Sequence, residues 1–112
     1  MKLNKFLNSK YKSKSSKCLS GHYHPSRLEA GHCNALMADK QSGRVLQYEV
    51  HYKFELRVND FLVTTHYVDF FVQGKDGQWR VEETKGKEMA DWVIKKKLFN
   101  ALHPEIPYIV IK

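Results

Sequence analysis

A strict alternation of side-chain character between Leu46 and Val58 constrains the fold more than any other feature of the sequence. Every even-numbered residue in this stretch is apolar, and every odd-numbered residue between them is polar or charged. A period of two is typical of a β-strand with one face covered. The dipeptide Asn59-Asp60 follows, and the next run, Phe61 to Val72, is rich in β-branched and aromatic residues on both faces. The pattern predicts a long β-hairpin whose second strand is central in a sheet.

Two further strands are predicted after this hairpin. The turn signal Gly74-Lys-Asp-Gly77 precedes a strand from Trp79 to Lys85, which we expect to complete a three-stranded antiparallel meander. The apolar run from Ile106 to Ile111 is long enough for one more strand but too short for a helix.

Two helices flank the meander in the sequence. Ser26-Arg-Leu-Glu29 has the spacing of a capping box and predicts a helix to about Lys40. Its buried stripe is Ala30, Cys33, Leu36 and Met37, with Glu29 at the margin. A second helix is predicted from Lys87 to Leu102, with a buried stripe of Ala90, Ile94, Leu98, Ala101 and Leu102. The order α-β-β-β-α-β predicts a single compact α/β domain with flanking helices and a short last strand.

The excess of basic over acidic side chains lies in the N-terminal quarter of the chain. Residues 1–28 contain seven basic side chains and no acid, whereas the remainder is balanced, so this segment carries the whole net charge of +7. A Lys- and Ser-rich segment buries too little apolar surface to order itself, so we expect residues 1–20 to form a mobile basic arm and residues 21–112 the folded domain. A polyanion is the expected partner of the arm, and a merely solubilising tail is the alternative.

The sequence also bears on the compartment. The longest apolar run, Tyr108 to Ile111, is far below the roughly 20 residues needed to cross a bilayer, and the Lys-rich N-terminus lacks a signal-peptide core. Two cysteines are too few for a disulfide scaffold. We therefore expect a cytoplasmic protein with no membrane association.

Asp69 and Glu83 are the strongest candidates for chemistry. The second turn is centred near Asp76, and 76 − 69 equals 83 − 76, so a symmetric hairpin places the two acids opposite each other. Like charges at this separation are destabilising unless a cation lies between them. Hard oxygen ligands favour Mg²⁺ or Mn²⁺. Lys85 shares the face of Glu83 by alternation and is positioned to act on an attacking water or to balance charge.

The same alternation assigns the neighbours to the opposite face. Glu82 is predicted to lie there with Arg80, and Thr84 is predicted to face away from the site. The alternative for Asp69 is a simple ion pair with Lys85 and no metal.

Five segments of the chain, taken in order, resemble a known nuclease superfamily. They are Tyr23-His-Pro-Ser-Arg-Leu-Glu-Ala30, His51-Tyr-Lys-Phe-Glu-Leu56, Tyr67-Val-Asp-Phe70, Trp79-Arg-Val-Glu-Glu-Thr-Lys-Gly86 and Lys95-Lys-Lys-Leu-Phe99. Residues 21–112 are similar to small phage and prophage proteins of the PD-(D/E)XK superfamily, formerly a domain of unknown function and often described as Holliday-junction-resolvase-like. His51 stands where such sequences usually have Gln, so the resemblance gives it no role.

The resemblance implies a restriction-endonuclease-like core and a Mg²⁺- or Mn²⁺-dependent DNA endonuclease acting in phage DNA metabolism, in the host cytoplasm. Asp69 and Glu83 are then metal ligands, Lys85 the catalytic lysine and Glu29 a further acid and metal ligand on the first helix. A cap that bonds back to Ser26 remains the alternative for Glu29. A small enzyme of this type is expected to recognise branched or duplex DNA by shape, and cutting a symmetric junction favours a homodimer.

The candidate DNA-binding residues are basic side chains of the arm and of both helices. They are Lys10, Lys12, Lys14, Lys17, Arg27, Lys95 and Lys97. Lysines on a helix can track phosphates, although a solvated helix face is an equal alternative. Lys96 is expected to project away from the buried stripe and from the site.

Two other function classes remain open. One is a catalytically silent nucleic-acid-binding accessory protein that uses the basic arm. The other is a small zinc-binding interaction protein, suggested by five zinc-type ligands in one short stretch, Cys18, His22, His24, His32 and Cys33. Their spacing fits no common zinc finger, and a cysteine on a buried helix stripe, as Cys33 is, usually acts as a small hydrophobe.

Overall fold

The computed structural model describes residues 16–24 and 26–112. Its elements are β1 (Ser16–Lys17), β2 (Tyr23–His24), α1 (Arg27–Gln41), β3 (Val45–Val58), β4 (Phe61–Gly74), β5 (Trp79–Thr84), α2 (Ala90–Leu102) and β6 (Tyr108–Ile111). From α1 onward the order is the predicted α-β-β-β-α-β, so the α/β class is confirmed. In the described part of the chain, no helix is long and apolar enough to cross a membrane.

The main sheet has the strand order β3-β4-β5-β6. β3, β4 and β5 are antiparallel neighbours, as predicted, and β6 joins β5 in parallel after the crossover through α2. The β3–β4 turn places Asn59 and Asp60 at φ values of 49° and 69°, which suits residues that tolerate the left-handed conformation. In the β4–β5 ladder, Phe70 pairs with Glu82. The next step of this register sets Asp69 against Glu83, as the turn symmetry predicts.

The apolar side chains of β3 are covered on two faces of the sheet, rather than on the single face predicted. Tyr48 and Val50 pack against one core cluster, which contains the α1 side chains, whereas Phe54 and Leu56 belong to a second cluster with Phe99 of α2. His51 lies between the two stretches with φ of 55°. A left-handed residue interrupts the extended conformation on which period-two alternation depends, so the side chains before and after His51 face different helices.

The first helix, α1, begins and packs as predicted. The Ser26 Oγ accepts a hydrogen bond from the Glu29 backbone N–H at 3.2 Å, which is the N-cap. Ala30, Cys33 and Leu36 are buried against the sheet. Glu29, expected at the margin of this stripe, is only 2% exposed.

The buried side of α2 differs from the predicted stripe. Ile94, which was assigned to the stripe, is 66% exposed, while Trp92 and Phe99 are buried. Leu98 and Leu102 pack beside Phe99 as expected. The two large aromatic residues, Trp92 and Phe99, lie seven positions apart and pack against the sheet. The helix is therefore rotated relative to the face that the aliphatic residues alone suggested.

This rotation leads to a stability prediction. Phe99→Ala is expected to lower the free energy of unfolding by about 3–5 kcal/mol, because it opens a cavity at a fully buried position. Ile94→Ala on the same helix is expected to change it by less than about 0.5 kcal/mol. Urea unfolding followed by circular dichroism measures both, and equal losses in the two variants contradict the observed orientation of α2.

The N-terminal boundary of the domain also differs from the prediction. β1 and β2 form a small antiparallel sheet in which Ser16 pairs with His24 and Lys17 with Tyr23. Cys18 is 5% exposed in the core cluster beneath α1. The arm boundary predicted at residue 20 is therefore too late. Lys10, Lys12 and Lys14 of the predicted arm lie outside the described residues.

Candidate functional site

A cleft of about 660 Å³ opens where the first turn of α1 meets the end of β5. Three of the four predicted site residues line it: Glu29 from α1, Asp69 from β4 and Lys85 directly after β5. The fourth, Glu83, is 2% exposed and lies behind the cleft beside Asp69. The fold therefore brings together residues from three separate parts of the chain.

Asp69 is held by Thr84. The backbone N–H and the hydroxyl of Thr84 both donate hydrogen bonds to Asp69 Oδ2, each at 2.9 Å. Thr84 also lines the cleft, so the prediction that it faces away from the site is wrong. The prediction fails because the direction of the side chains changes next to Asp69, where Val68 and Phe70 belong to different core clusters. Among the described residues, Asp69 forms no ion pair with Lys85.

Glu83 has a firmly fixed carboxyl group. The Tyr108 hydroxyl of β6 donates a hydrogen bond to Glu83 Oε1 at 2.7 Å. The His66 Nε2 lies 2.8 Å from the Tyr108 hydroxyl and 3.9 Å from Glu83 Oε1. Burial and then repulsion from Asp69 raise the pKa of Glu83 to about 8. Glu83 therefore holds a proton at neutral pH unless a cation takes its place.

Glu29 is bonded to two histidines rather than serving as a cap side chain. Its Oε2 lies 2.5 Å from His24 Nδ1 and 2.6 Å from His51 Nε2. Burial and then the charge of Asp69 raise the pKa of Glu29 to about 7. Among the described residues, the Ser26 side chain supplies the N-cap hydrogen bond, and Glu29 lines the cleft.

Glu29, His24 and His51 form a hydrogen-bonded trio rather than a ready-made metal site. Two ligands of one metal with bonds of about 2.1 Å lie roughly 3 Å apart or more, even at right angles. The distances from the Glu29 oxygen to the two histidines are shorter than this and are those of hydrogen bonds.

Lys85 lies against an aromatic platform. Its Nζ is 4.9 Å from the centre of the Trp92 ring. The Lys96 Nζ lies 5.6 Å from the same ring and 5.5 Å from the ring of Tyr108. Lys96, expected to project away from the site, thus belongs to its surroundings. The rotation of α2 that buries Trp92 also brings Lys96 to this side.

The remaining predicted DNA-binding residues are spread over the surface. Arg27 begins α1 and is exposed, close in sequence to the cleft residue Glu29. Lys17 is exposed and lies over the Tyr23 ring at 5.3 Å. On α2, Lys97 is exposed and Lys95 is half-buried. Lys87, which the sequence did not single out, lines the cleft.

Four of the five zinc-type residues converge at one point near the cleft. They are Cys18, His22, His24 and Cys33, whose ligand atoms all lie within 4.8 Å of one another. His32 lies elsewhere, with its Nε2 2.5 Å from Glu82 Oε1. Arg80 also contacts Glu82, so Glu82 has the partners expected of a structural acid on the other face.

The site contains four side chains whose roles the sequence did not reveal: Thr84, His51, His66 and Tyr108. Two of them, His66 and Tyr108, depend on long-range placement, since β6 pairs with β5 through the crossover and His66 reaches Tyr108 across the sheet. His51 could have been noticed as a polar residue in the strand that precedes Asp69 in the hairpin. Its contact with Glu29 depends on the left-handed backbone, which no pattern in the sequence indicates.

The raised pKa of Glu83 predicts a pH-dependent stability. In the folded protein, Glu83 retains its proton up to about pH 8, whereas an unfolded Glu releases it near its ordinary pKa of 4.5. The stability that this bound proton contributes is therefore lost as the pH rises. Between about pH 6.5 and about pH 8, without added divalent ions, the unfolding free energy of wild type is expected to fall by about 1–2 kcal/mol relative to that of Glu83→Gln. Burial lowers the pKa of His66 to about 4, so it titrates below this window.

Urea unfolding of the two proteins at both ends of this range measures the effect. The other titrating groups are present in both proteins, so the difference reports the titration of Glu83 together with its coupling to Asp69. A difference in unfolding free energy that stays constant, or that grows with pH, contradicts a raised pKa at this position.

Comparison with known proteins gives a family but no activity. No curated protein and no solved structure matches the chain. A family model described as "Protein of unknown function (DUF1064)" matches residues 8–112. Because the match covers nearly the whole chain, the protein belongs to this family.

Proposed function

We propose that the protein is a divalent-metal-dependent DNA endonuclease whose active site is the cleft between α1 and β5. The observation that carries this proposal is the placement of Asp69 beside two buried acids, Glu29 and Glu83, with Lys85 on the same cleft. Burial, and then repulsion from Asp69, raise the pKa values of both glutamates, which reflects the cost of holding negative charge at this place. A divalent cation lowers this cost.

The donor set fits a hard cation. Asp69, Glu83 and Glu29 would supply carboxylate oxygens, the ligands that Mg²⁺ and Mn²⁺ prefer. Both hydrogen bonds from Thr84 go to Asp69 Oδ2, so Oδ1 is the oxygen directed to other partners. When bound, the metal supplies Lewis-acid activation of a phosphodiester and of water.

The protein side chains have distinct tasks in this proposal. Thr84 orients Asp69, and Tyr108 orients Glu83 by donating a hydrogen bond from its hydroxyl group. Lys85 places a positive charge at the cleft, where it stabilises charge that develops on the phosphate or orients the attacking water. Its side chain is restrained by Trp92, which reduces the entropy lost when it acts.

The substrate class follows from the charge and size of the chain. The net charge of +7 favours a polyanion, and Arg27 and Lys87 are basic side chains at or near the cleft. A 112-residue protein offers little surface for reading base sequence. Recognition of DNA shape through phosphates, as in branched DNA, is therefore the substrate preference that we propose.

The experiment that tests the function is a cleavage panel with the full-length protein. Labelled four-way junction, flap, duplex and single-stranded DNA are incubated with Mg²⁺, with Mn²⁺ or with EDTA. We expect cutting that requires metal and favours branched DNA. Binding to all four DNAs without cutting under any metal condition would instead indicate a DNA-binding accessory protein. Size-exclusion chromatography of the junction complex tests the homodimer.

A further inference from the structure

The hairpin β1–β2 and the helix α1 together build a second candidate metal site beside the cleft. Cys18 follows β1, His22 and His24 come from the turn and strand of β2, and Cys33 lies on the buried stripe of α1. Their ligand atoms all lie within 4.8 Å of one another. Two thiols and two imidazoles are the donor set of structural zinc sites, and two thiolates balance the charge of Zn²⁺ in a buried position.

The distances between these side chains fit the edges of a zinc tetrahedron. Zn–S bonds of about 2.3 Å and Zn–N bonds of about 2.0–2.1 Å place a sulfur and a nitrogen ligand roughly 3.6 Å apart at the tetrahedral angle. The His22 Nδ1 lies 3.4 Å from Cys33 Sγ and 3.7 Å from Cys18 Sγ. These side chains are therefore already spaced for one ion.

The contacts of the His24 ring are an independent indication that this ring binds a metal. His24 is 1% exposed, and its Nδ1 is bonded to Glu29. Within residues 16–24 and 26–112, its buried Nε2 has no hydrogen-bond partner, although a buried polar atom normally has one. When one ring nitrogen donates to a carboxylate, the other is a lone-pair donor for a metal, as in carboxylate–histidine–zinc arrangements.

From these contacts we infer a structural zinc site formed by Cys18, His22, His24 and Cys33. Zinc at this site ties the two-residue strands β1 and β2 to α1, since such a short hairpin has little stability of its own. It also fixes the His24 ring that holds Glu29, so the site is a positioning device for the cleft. The soft thiolates select zinc over the hard cation proposed for Asp69. Zinc binding by these four residues does not require nuclease activity.

The test measures the metal directly. Full-length protein, expressed with zinc and dialysed under reducing conditions, is expected to retain about one zinc per chain by elemental analysis. Replacement of zinc by Co²⁺ is expected to give the visible bands of tetrahedral cobalt and the near-ultraviolet thiolate-to-cobalt charge-transfer band. Zinc well below one per chain, or only the weak spectrum of octahedral cobalt, overturns the site.

Variants assign the ligands. His22→Asn changes an exposed residue, so the fold should survive, and it is expected to weaken zinc retention and shift the cobalt bands. Cys18→Ser should remove part of the charge-transfer band. His32→Asn is the matched control, because His32 lies on α1 next to Cys33 but bonds to Glu82, and it should keep both signals. Spectra unchanged in His22→Asn and Cys18→Ser refute the assignment.

Discussion

Replacing Asp69 by Asn is expected to lower metal-dependent DNA cleavage by at least about a thousandfold. Metal-ion catalysis supplies several kcal/mol of transition-state stabilisation, and each 1.36 kcal/mol is tenfold in rate. The amide keeps an oxygen that can accept the two Thr84 hydrogen bonds, so the local structure should be retained. Loss of a charge beside Glu29 and Glu83 should leave the thermal stability unchanged or raise it. Single-turnover cleavage and thermal melts measure both effects.

Asp60→Asn provides the matched control for this substitution. Asp60 is exposed in the β3–β4 turn with φ of 69°, a conformation that Asn adopts as readily as Asp. It should cleave like wild type. Cleavage by Asp69→Asn at a rate close to that of the control would rule out Asp69 as a metal ligand.

Lys85→Met is the second substitution with a large expected effect. Methionine preserves an unbranched apolar side chain against Trp92 but removes the charge. We expect the cleavage rate at saturating DNA to fall about 10²–10³-fold, the usual cost of losing one charge-stabilising group from an active site. Metal affinity should change little, because Lys85 is not proposed as a ligand.

Lys75→Met is the control for a general loss of positive charge. Lys75 is exposed in the β4–β5 turn, so its removal should leave the maximal rate unchanged and affect only the salt-dependent affinity for DNA. If both lysine variants reduce affinity equally and leave the maximal rate intact, Lys85 acts only in DNA binding and its catalytic role is refuted.

The sequence was sufficient to predict the features that depend on local geometry. A tight turn fixes the register of the strands that it joins, so the symmetry about Asp76 placed Asp69 opposite Glu83 without knowledge of the rest of the fold. The N-cap at Ser26 and the buried stripe of α1 likewise follow from helical periodicity.

The errors have separate physical causes. Alternation holds only while the backbone stays extended, and the left-handed conformation of His51 interrupts it. The covered face of β3 was therefore predicted wrongly. The position of Thr84 was predicted wrongly because the facing of the side chains changes next to Asp69. In α2, aromatic residues outweighed the aliphatic stripe and carried Lys96 toward Trp92. The contacts of Tyr108 depend on the parallel pairing of β6, which is set by the whole topology.

The convergence of the cysteines and histidines shows the same limit. Their spacing along the chain matches no common finger, because a hairpin and a helix supply the ligands at distances set by packing. Only the folded arrangement separates His32, bonded to Glu82, from the four residues that face one another.

The measurement that tests the central claim most directly is Mn²⁺ binding without DNA, followed by the EPR signal of free Mn²⁺. Zinc-loaded wild-type protein and Asp69→Asn are titrated in parallel, so that the thiolate site is already filled. We predict that each wild-type chain binds about one Mn²⁺, that Mg²⁺ displaces it, and that Asp69→Asn loses this binding. Equal binding by both proteins, or none by wild type, would contradict a carboxylate metal centre at Asp69.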